Sequence, residues 1–247
     1  MINWEIIILV FSFALVIIFS ILNRKETKNT LREIPAFSEL QKKIELSVED
    51  GTRLQVSLGS SGLLGPQSVS FYTGLILLRQ VARVAADSDQ PPIATNGDGL
   101  QNILAHDVLR STYKELALSD EYHHRLSRVT GLTPSSYAAG TMPLILDNFA
   151  ASSALIGSFR EEAGLITAAT QRRSAFSTGG TESLSGQSVL FAGTEHVLLG
   201  EEIFATGAYL DAGRSFHASL RMQDTLRWII VVAILAMAIF KLLVVFI

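Results

Sequence analysis

The segment that decides the fold is "VSLGSSGLLGPQSVS", which runs from Val56 to Ser70. At its start Leu54, Val56 and Leu58 alternate with polar residues, which is typical of a β-strand. Three glycines follow at a spacing of three, and Pro66 stands where a helix begins, ahead of a long apolar run. The segment has neither the lysine of a Walker A loop nor the G-x-G-x-x-G dinucleotide fingerprint. It therefore predicts a strand-to-helix turn, which either holds a ligand or only reverses the chain.

The same succession of strand, turn and helix recurs along the chain. Strands are predicted in "PPIATNGDG", in Ser152–Phe159 and in "SAFSTGG", and helix-like sequence follows each of them. This alternation predicts an α/β fold, with a mostly parallel sheet flanked by helices. In the helix after "NGDG" we expect Leu100, Ile103, Leu104 and Val108 to form the buried face.

Composition excludes several functional classes. The chain has 247 residues, a formal net charge of −3 and no cysteine. Domains that bind nucleic acids usually carry a basic patch, so we exclude nucleic acid as a partner. The absence of cysteine removes disulfides, thiol catalysis and thiolate metal sites. Apolar residues concentrate at both ends, and the roughly 195 residues between them suffice for one domain with its own core.

Two apolar segments have the length of a membrane-spanning helix, which needs roughly 17 to 25 residues. They are Ile6–Leu22, which is uncharged, and Trp228–Ile247, in which Lys241 is the single charge. Only Glu5 precedes the first segment closely, which favours an anchor over a cleaved signal peptide. The predicted organisation is an N-terminal transmembrane helix (1–24), a juxtamembrane amphipathic connector (25–51), an α/β domain (52–213) and a helix continuing into the C-terminal transmembrane helix (214–247).

Basic residues predict the orientation of the two spans. They lie on the domain side of both apolar segments: Arg24, Lys25, Lys28, Arg32, Arg221 and Arg227. By the positive-inside rule, this side is cytoplasmic. The sequence therefore predicts two membrane spans, with the central domain in the cytoplasm and both termini outside.

Lys241 is a charge within the second apolar segment. On antiparallel helices its depth differs from that of Glu5 by about the length of one lysine side chain. One hypothesis pairs Lys241 with Glu5, which would lower the cost of the buried charge. The alternative is that the lysine reaches the outer headgroups by itself.

Three turns rich in Gly, Ser and Thr are the candidate ligand site. Such turns gather at the carboxyl edge of a parallel sheet, where ligands of this fold class usually bind. The candidate residues are Gly59, Ser60, Ser61, Gly62, Gly65, Asn96, Gly97, Asp98, Thr178, Gly179, Gly180 and Thr181. Tight turns explain the same residues without any ligand, so both interpretations stay open.

Catalytic and metal-binding patterns are missing from the sequence. His123 and His124 lie in a polar segment without the spaced partners of a metal site. The acidic pair Glu161 and Glu162 fits the first turn of a helix, where the helix dipole favours negative charge. No serine has an identifiable base, and there is no G-x-S-x-G elbow. We therefore predict no catalytic residue, metal or cofactor, and favour a protein that is not an enzyme.

Four segments, "LREIPAFSEL", "EDGTRLQVSLG", "GLTPSSYAAG" and "GEEIFATGAYL", resemble an uncharacterised family of bacterial membrane proteins that is known as a domain of unknown function. The resemblance extends from Leu31 to Trp228. It implies an inner-membrane protein, and it brings no activity, cofactor or catalytic residue.

These observations predict a membrane-anchored interaction or scaffold protein. Its partners would be the lipid bilayer and either further copies of itself or another membrane protein. The alternative is a domain that senses a small ligand or nucleotide through the glycine-rich turns, in which case its partner is a small molecule.

Overall fold

The computed structural model describes residues 31–60, 62, 68–147 and 150–246, together with Ala14. The chain forms two compact units. One is Arg32–Leu210, and the other includes residues 211–246.

The first unit is built on a six-stranded parallel sheet with the strand order β3-β2-β1-β4-β5-β6. The strands are β1 (Arg53–Gly59), β2 (Ile93–Asn96), β3 (Ser127–Val129), β4 (Ala150–Ser158), β5 (Phe176–Gly180) and β6 (His196–Leu198). The predicted α/β class with a mostly parallel sheet is confirmed.

Helices connect and cover the strands. They are α1 (Pro35–Glu49), α2 (Val69–Ala85), α3 (Gly99–Glu115), α4 (Pro134–Asp147), α5 (Ala163–Arg172), α6 (Leu184–Gly193), α7 (Thr206–Tyr209) and α8 (Arg214–Phe246), with 3-10 turns at Ser119–Glu121, His124–Leu126 and Gly200–Ala205.

The strand order is that of a doubly wound sheet. From β1 the chain proceeds outward to β2 and β3, and then crosses back to β4, beside β1, before it proceeds the other way to β5 and β6. The connections after β1 and β4 therefore diverge, and a crevice forms at the carboxyl ends of these two strands. This position is the topological switch point, where open α/β sheets usually bind ligands.

Apolar side chains fill the space between the sheet and the helices. On one face Tyr137, Leu155, Phe159, Ile166 and Leu190 belong to a buried cluster that joins β4 to α4, α5 and α6. On the other face α2 packs against β1 and β4. Burial of these side chains is the main stabilising term of such a fold.

Helix α1 falls within the segment that the sequence analysis assigned to a connector. It begins at Pro35, a position where proline is tolerated because its missing N–H would have no partner in the first turn. Its apolar residues Phe37, Leu40 and Ile44 are buried, and it packs against α2 and the sheet. The structure thus places α1 in the same compact unit as the strands.

The predicted buried face of α3 is wrong. Leu100 and Ile103 are exposed, whereas Ala105, Leu109 and Tyr113 are fully buried. The true buried face is rotated from the predicted one by about one residue, or roughly 100°. Because α3 has apolar and polar residues on both faces, the periodicity of its sequence does not show which face is buried.

Two short edge strands, β3 and β6, were not predicted. Each has three residues, and neither shows an alternating pattern longer than its length. The segment "GEEIFATGAYLDAG" contains a 3-10 turn followed by the single-turn helix α7.

The second unit contains α8, a continuous helix of 33 residues. Within it Ser215–Ile239 is long and apolar enough to cross a membrane, and it is the one such helix in the described part of the chain. The first predicted span, Ile6–Leu22, lies outside the described residues apart from Ala14.

Candidate functional site

The candidate site begins where β1 ends. Gly59 has a φ of 94°, which favours glycine, and a Cβ built on it would lie 2.3 Å from the carbonyl oxygen of Ser158. The next residue, Ser60, donates its backbone N–H to the same oxygen at 3.1 Å. A residue without a side chain is therefore required for the ends of β1 and β4 to approach each other.

The turn after β2 joins the same place. The N–H of Gly97 donates to the carbonyl oxygen of Gly59 at 3.0 Å. A Cβ on Gly97 would lie 2.4 Å from the Cα of Ser60. The structure thus brings together two of the three turns that the sequence analysis selected.

A buried carboxylate faces this turn. Ser60 Oγ donates to Glu162 Oε1 at 2.6 Å, which is a short hydrogen bond between a hydroxyl and a carboxyl group. Glu162 directly precedes α5 and is only 8% exposed, although glutamate is rarely buried. The sequence pattern alone favours Glu162 as a charge at the end of a helix. Its place just after a buried strand was the available indication that it could reach the crevice.

A second carboxylate lies at the start of α2. The N–H of Ser70 donates to Glu182 Oε2 at 3.1 Å. The N-terminus of a helix attracts anions through its unpaired N–H groups and its dipole. Because Glu182 already interacts with it, this chain supplies its own anion where a ligand phosphate would bind in a dinucleotide-binding domain.

Ser70 also connects the start of α2 to the end of β4. Its Oγ lies 3.3 Å from Ser158 Oγ. The second oxygen of Glu182, Oε1, is inaccessible to solvent and has no hydrogen-bond partner among the described residues. Ser60, Ser70, Ser158, Glu162 and Glu182 form a polar cluster at the switch point, and we call them the crevice cluster.

Buried hydroxyl groups fix the turn from below. Gln55 Nε2 donates to Ser57 Oγ at 2.6 Å and to Thr95 Oγ1 at 3.0 Å. The hydroxyl of Tyr137 lies 3.3 Å from Thr95 Oγ1 and accepts the N–H of Gly59 at 3.2 Å. Burial raises the pKa of Tyr137, so its hydroxyl stays protonated. The network holds Gly59 in one position and preorganises the turn.

The third predicted turn is packed into the domain. Thr178 is fully buried, and both glycines that follow it lie within β5. A Cβ on Gly179 would meet the side chain of Leu190, and one on Gly180 would meet Leu198. Thr181 Oγ1 accepts the N–H of Phe159 and donates to its carbonyl oxygen, both at 3.1 Å. These residues act in packing and in anchoring the end of β4.

The remaining candidate residues are placed as follows. Asn96 is buried, and its Nδ2 donates to Asn102 Oδ1 at 3.2 Å and to Ser127 Oγ at 2.8 Å, so its amide links β2 to α3 and β3. Asp98 is half-buried at the N-cap of α3. Gly62 is exposed, with no atom within 4 Å of a Cβ built on it.

Some candidate residues are outside the described part of the chain. Ser61 and Gly65 are among them, and so is Glu5, together with the proposed Glu5–Lys241 pair. Lys241 itself is exposed on α8.

Chemically, the crevice cluster offers acceptors. Its two carboxylates bind hydroxyl, amide and ammonium groups, and its serines both donate and accept. Among the described residues, no group of three or more His, Cys, Asp or Glu side chains could hold a metal ion.

Comparisons with known proteins identify a family. The model of a domain of unknown function, DUF6754, matches residues 1–247, and the chain therefore belongs to this family. This confirms the resemblance to an uncharacterised family. No curated protein and no solved structure matches the chain.

Proposed function

We propose that this protein is a membrane-anchored sensor whose α/β domain binds a small polar ligand at the switch point of its sheet. The observation that carries the proposal is the buried Ser60–Glu162 pair at the end of β1. Placing a carboxylate in this crevice costs solvation free energy, which a purely structural turn does not require. A ligand that donates hydrogen bonds to this carboxylate gives the burial a function.

The charge of the crevice cluster specifies the chemistry of the ligand. Glu162 and Glu182 favour a molecule with hydroxyl or ammonium donors, such as a polyol, a sugar or an amine. The diphosphate group of a nucleotide would have to displace the Glu182 carboxylate from the start of α2. We therefore favour a neutral or cationic ligand over a nucleotide.

The membrane part of the proposal rests on composition. Two spans in a bacterial inner membrane, with the domain in the cytoplasm, agree with the basic residues on the domain side of both apolar segments. In this arrangement α8 would transmit the state of the domain to the bilayer.

Native mass spectrometry of the full-length protein, gently released from its own membrane, tests the function. We expect a co-purifying small mass that is lost in Gly62→Trp, which fills the open side of the turn, and in Glu162→Gln, which removes the charge. Ser111→Trp, on the exposed side of α3, is the matched control and should retain the mass.

Two results of this experiment would contradict the sensor. A ligand-free oligomer, or a complex with another protein that is unchanged in both variants, would overturn the sensor and support the membrane-anchored scaffold. A panel of polyols, amines and nucleotides in a thermal-unfolding assay then identifies the ligand class, because a ligand that binds only the folded state raises Tm.

Labelling of single cysteines tests the topology, since the natural chain has none. We expect a membrane-impermeant maleimide to label Asn3→Cys on the outside of spheroplasts. Asp87→Cys, on the exposed surface of the domain, should react only after the membrane is permeabilised. Labelling of Asp87→Cys in intact spheroplasts would contradict the cytoplasmic assignment.

A further inference from the structure

A cavity lies at the edge of the sheet opposite to the crevice cluster. Helix α3 begins after the carboxyl end of β2 and runs antiparallel to the strands, so its last turns lie at their amino ends. There the cavity has a volume of about 540 Å³. In the described part of the chain it is lined by Arg110, Lys114, Ser119, Tyr122 and His124. Its size is within the range of pockets for small molecules.

Two cations on one wall are available to a ligand. Arg110 and Lys114 are four residues apart, which places them on one face of α3. The side chain of neither forms a salt bridge or a hydrogen bond with another described residue, whereas the Glu115 carboxylate pairs with Arg79 at 2.6 Å and with Arg83 at 3.2 Å. No carboxylate is among the described residues that line the cavity. The cavity therefore attracts anions.

Another part of the described wall is aromatic, and contacts with neighbouring rings hold it in place. Tyr122 hydroxyl lies 2.8 Å from His106 Nδ1, and the ring of His124 is 5.8 Å from that of Tyr122. The ring of Tyr113, which is fully buried, makes an edge contact with that of Tyr122, and the two ring centroids are 5.9 Å apart. Burial lowers the pKa of His106, which keeps its ring neutral and able to accept the Tyr122 hydroxyl. A planar ring can stack against such a wall.

We propose that this cavity binds a phosphorylated heteroaromatic small molecule of about mononucleotide size. Arg110 and Lys114 hold the phosphate, Arg110 through its planar fork and Lys114 as a point charge. Tyr122 and His124 contact the ring, and Ser119 contributes a hydroxyl group. Two acidic groups lie near the site, because the charges of Asp107 and Glu121 add to burial in raising the pKa values of Tyr122 and Tyr113, respectively. Neither acidic group lines the described part of the cavity.

This site is independent of the proposed sensor site. It shares no residue with the crevice cluster, and its charge is of the opposite sign. A chain with both sites would bind one ligand that carries several hydrogen-bond donors and a second ligand that is anionic.

Equilibrium dialysis of the full-length protein in nanodiscs, with AMP as the probe, tests the proposal. We expect saturable binding that weakens at least tenfold in Arg110→Gln/Lys114→Gln, because two charge-assisted contacts are lost. Arg172→Gln, which removes an exposed cation from α5, is the matched control and should bind AMP as the natural chain does. Adenosine should bind at least tenfold more weakly than AMP.

A second variant separates the contribution of the ring to AMP binding from that of the phosphate. Tyr122→Leu should weaken AMP binding several-fold, and it should leave competition by inorganic phosphate unchanged. Equal Tm values for all variants establish that they are folded.

Three results would overturn the proposal. The first is the absence of saturable AMP binding, and the second is binding that Arg172→Gln weakens as strongly as the double variant. The third is AMP binding that is lost in Glu162→Gln and retained in Arg110→Gln/Lys114→Gln, which would place the nucleotide at the switch point instead.

Discussion

The carboxyl ends of β1 and β5 both carry glycines, and different kinds of atoms surround them. At Gly59 the atom nearest to a Cβ would be a backbone oxygen of the adjacent strand, at 2.3 Å. At Gly179 it would be Cδ2 of Leu190, at 2.8 Å. A leucine methyl group can rotate away, whereas a backbone oxygen within a sheet cannot move without breaking its pairing.

The two ends also differ on their outer sides. Beyond β1 the chain opens to solvent at Gly62, where a Cβ would meet no atom within 4 Å. Beyond β5 the chain is hydrogen-bonded to the segment after β4, because Thr181 Oγ1 binds both the N–H and the carbonyl oxygen of Phe159. Glycine content alone therefore does not separate the two strand ends, whereas an open side distinguishes a candidate ligand turn from a packed one.

The largest expected effect is at Gly59. Gly59→Ala combines a left-handed backbone conformation with a clash against Ser158, and we expect it to destabilise the domain by about 3 kcal/mol or more. Gly62→Ala, three residues later, should change stability by less than about 0.5 kcal/mol. Thermal unfolding and pulse proteolysis of both variants in nanodiscs measure the difference. Equal stabilities would mean that β1 and β4 do not approach as closely as described.

A smaller effect is expected at the closed end of β5. Thr181→Val keeps the shape of the side chain and removes its hydroxyl, which leaves the N–H and carbonyl oxygen of Phe159 without that partner. We expect a loss of about 2 kcal/mol, since each unsatisfied buried polar group costs about 1–3 kcal/mol. Thr181→Ser retains the hydroxyl and should lose less than half as much. If the sensor ligand also dissociates from Thr181→Ser, then Thr181 contacts the ligand and the two strand ends are not as different as we infer.

Gly179→Ala should have a still smaller effect. The new methyl group forces Leu190 to shift, which costs about 1 kcal/mol, while the reduced freedom of the unfolded chain returns part of this cost. We expect Tm to fall by a few degrees or less. A loss as large as that of Gly59→Ala would show that the packing around β5 is as unyielding as the backbone at β1.

The sequence was sufficient for the features that depend on local pattern. Alternation in β1 and the glycine-rich turn after it predicted the strand, and the succession of such units predicted the α/β class. The crevice cluster was predicted only in part: Ser60 was identified through its turn, and Glu162 and Glu182 were not identified as site residues. Their positions depend on strand order, which brings Glu162, after β4, to Ser60 across 102 residues of chain. It likewise brings Glu182, after β5, to Ser70 across 112 residues.

The failure at α3 has a different cause. Its fully buried positions include Gln101 and Thr112, while Leu100 and Ile103 face outward. Hydrophobicity then misassigns the buried face of the helix, because polar side chains occupy buried positions. Thr112 is one of them, and its Oγ1 donates to the carbonyl oxygen of Val108 at 2.8 Å within the same helix. The edge strands β3 and β6 escaped prediction for a related reason, since three residues are too few for a period to be recognised.

The smallest expected effect concerns Glu182, and it decides whether the start of α2 is an empty anion site or an occupied one. Glu182→Gln keeps an acceptor for the N–H of Ser70 and removes the negative charge, so only the attraction between that charge and the helix dipole is lost. We expect the free energy of unfolding to fall by about 0.5 kcal/mol at low ionic strength, and by less at high salt because the interaction is screened.

The informative measurement is the Tm of Glu182→Gln with and without 10 mM pyrophosphate, compared with that of Glu182→Ala. Without the charge of Glu182, pyrophosphate should raise the Tm of both variants and leave that of the natural chain unchanged, because the natural chain already supplies the anion. If pyrophosphate stabilises the natural chain equally, Glu182 does not compete for this position, and the crevice would accept the phosphates of a nucleotide beside its own carboxylates.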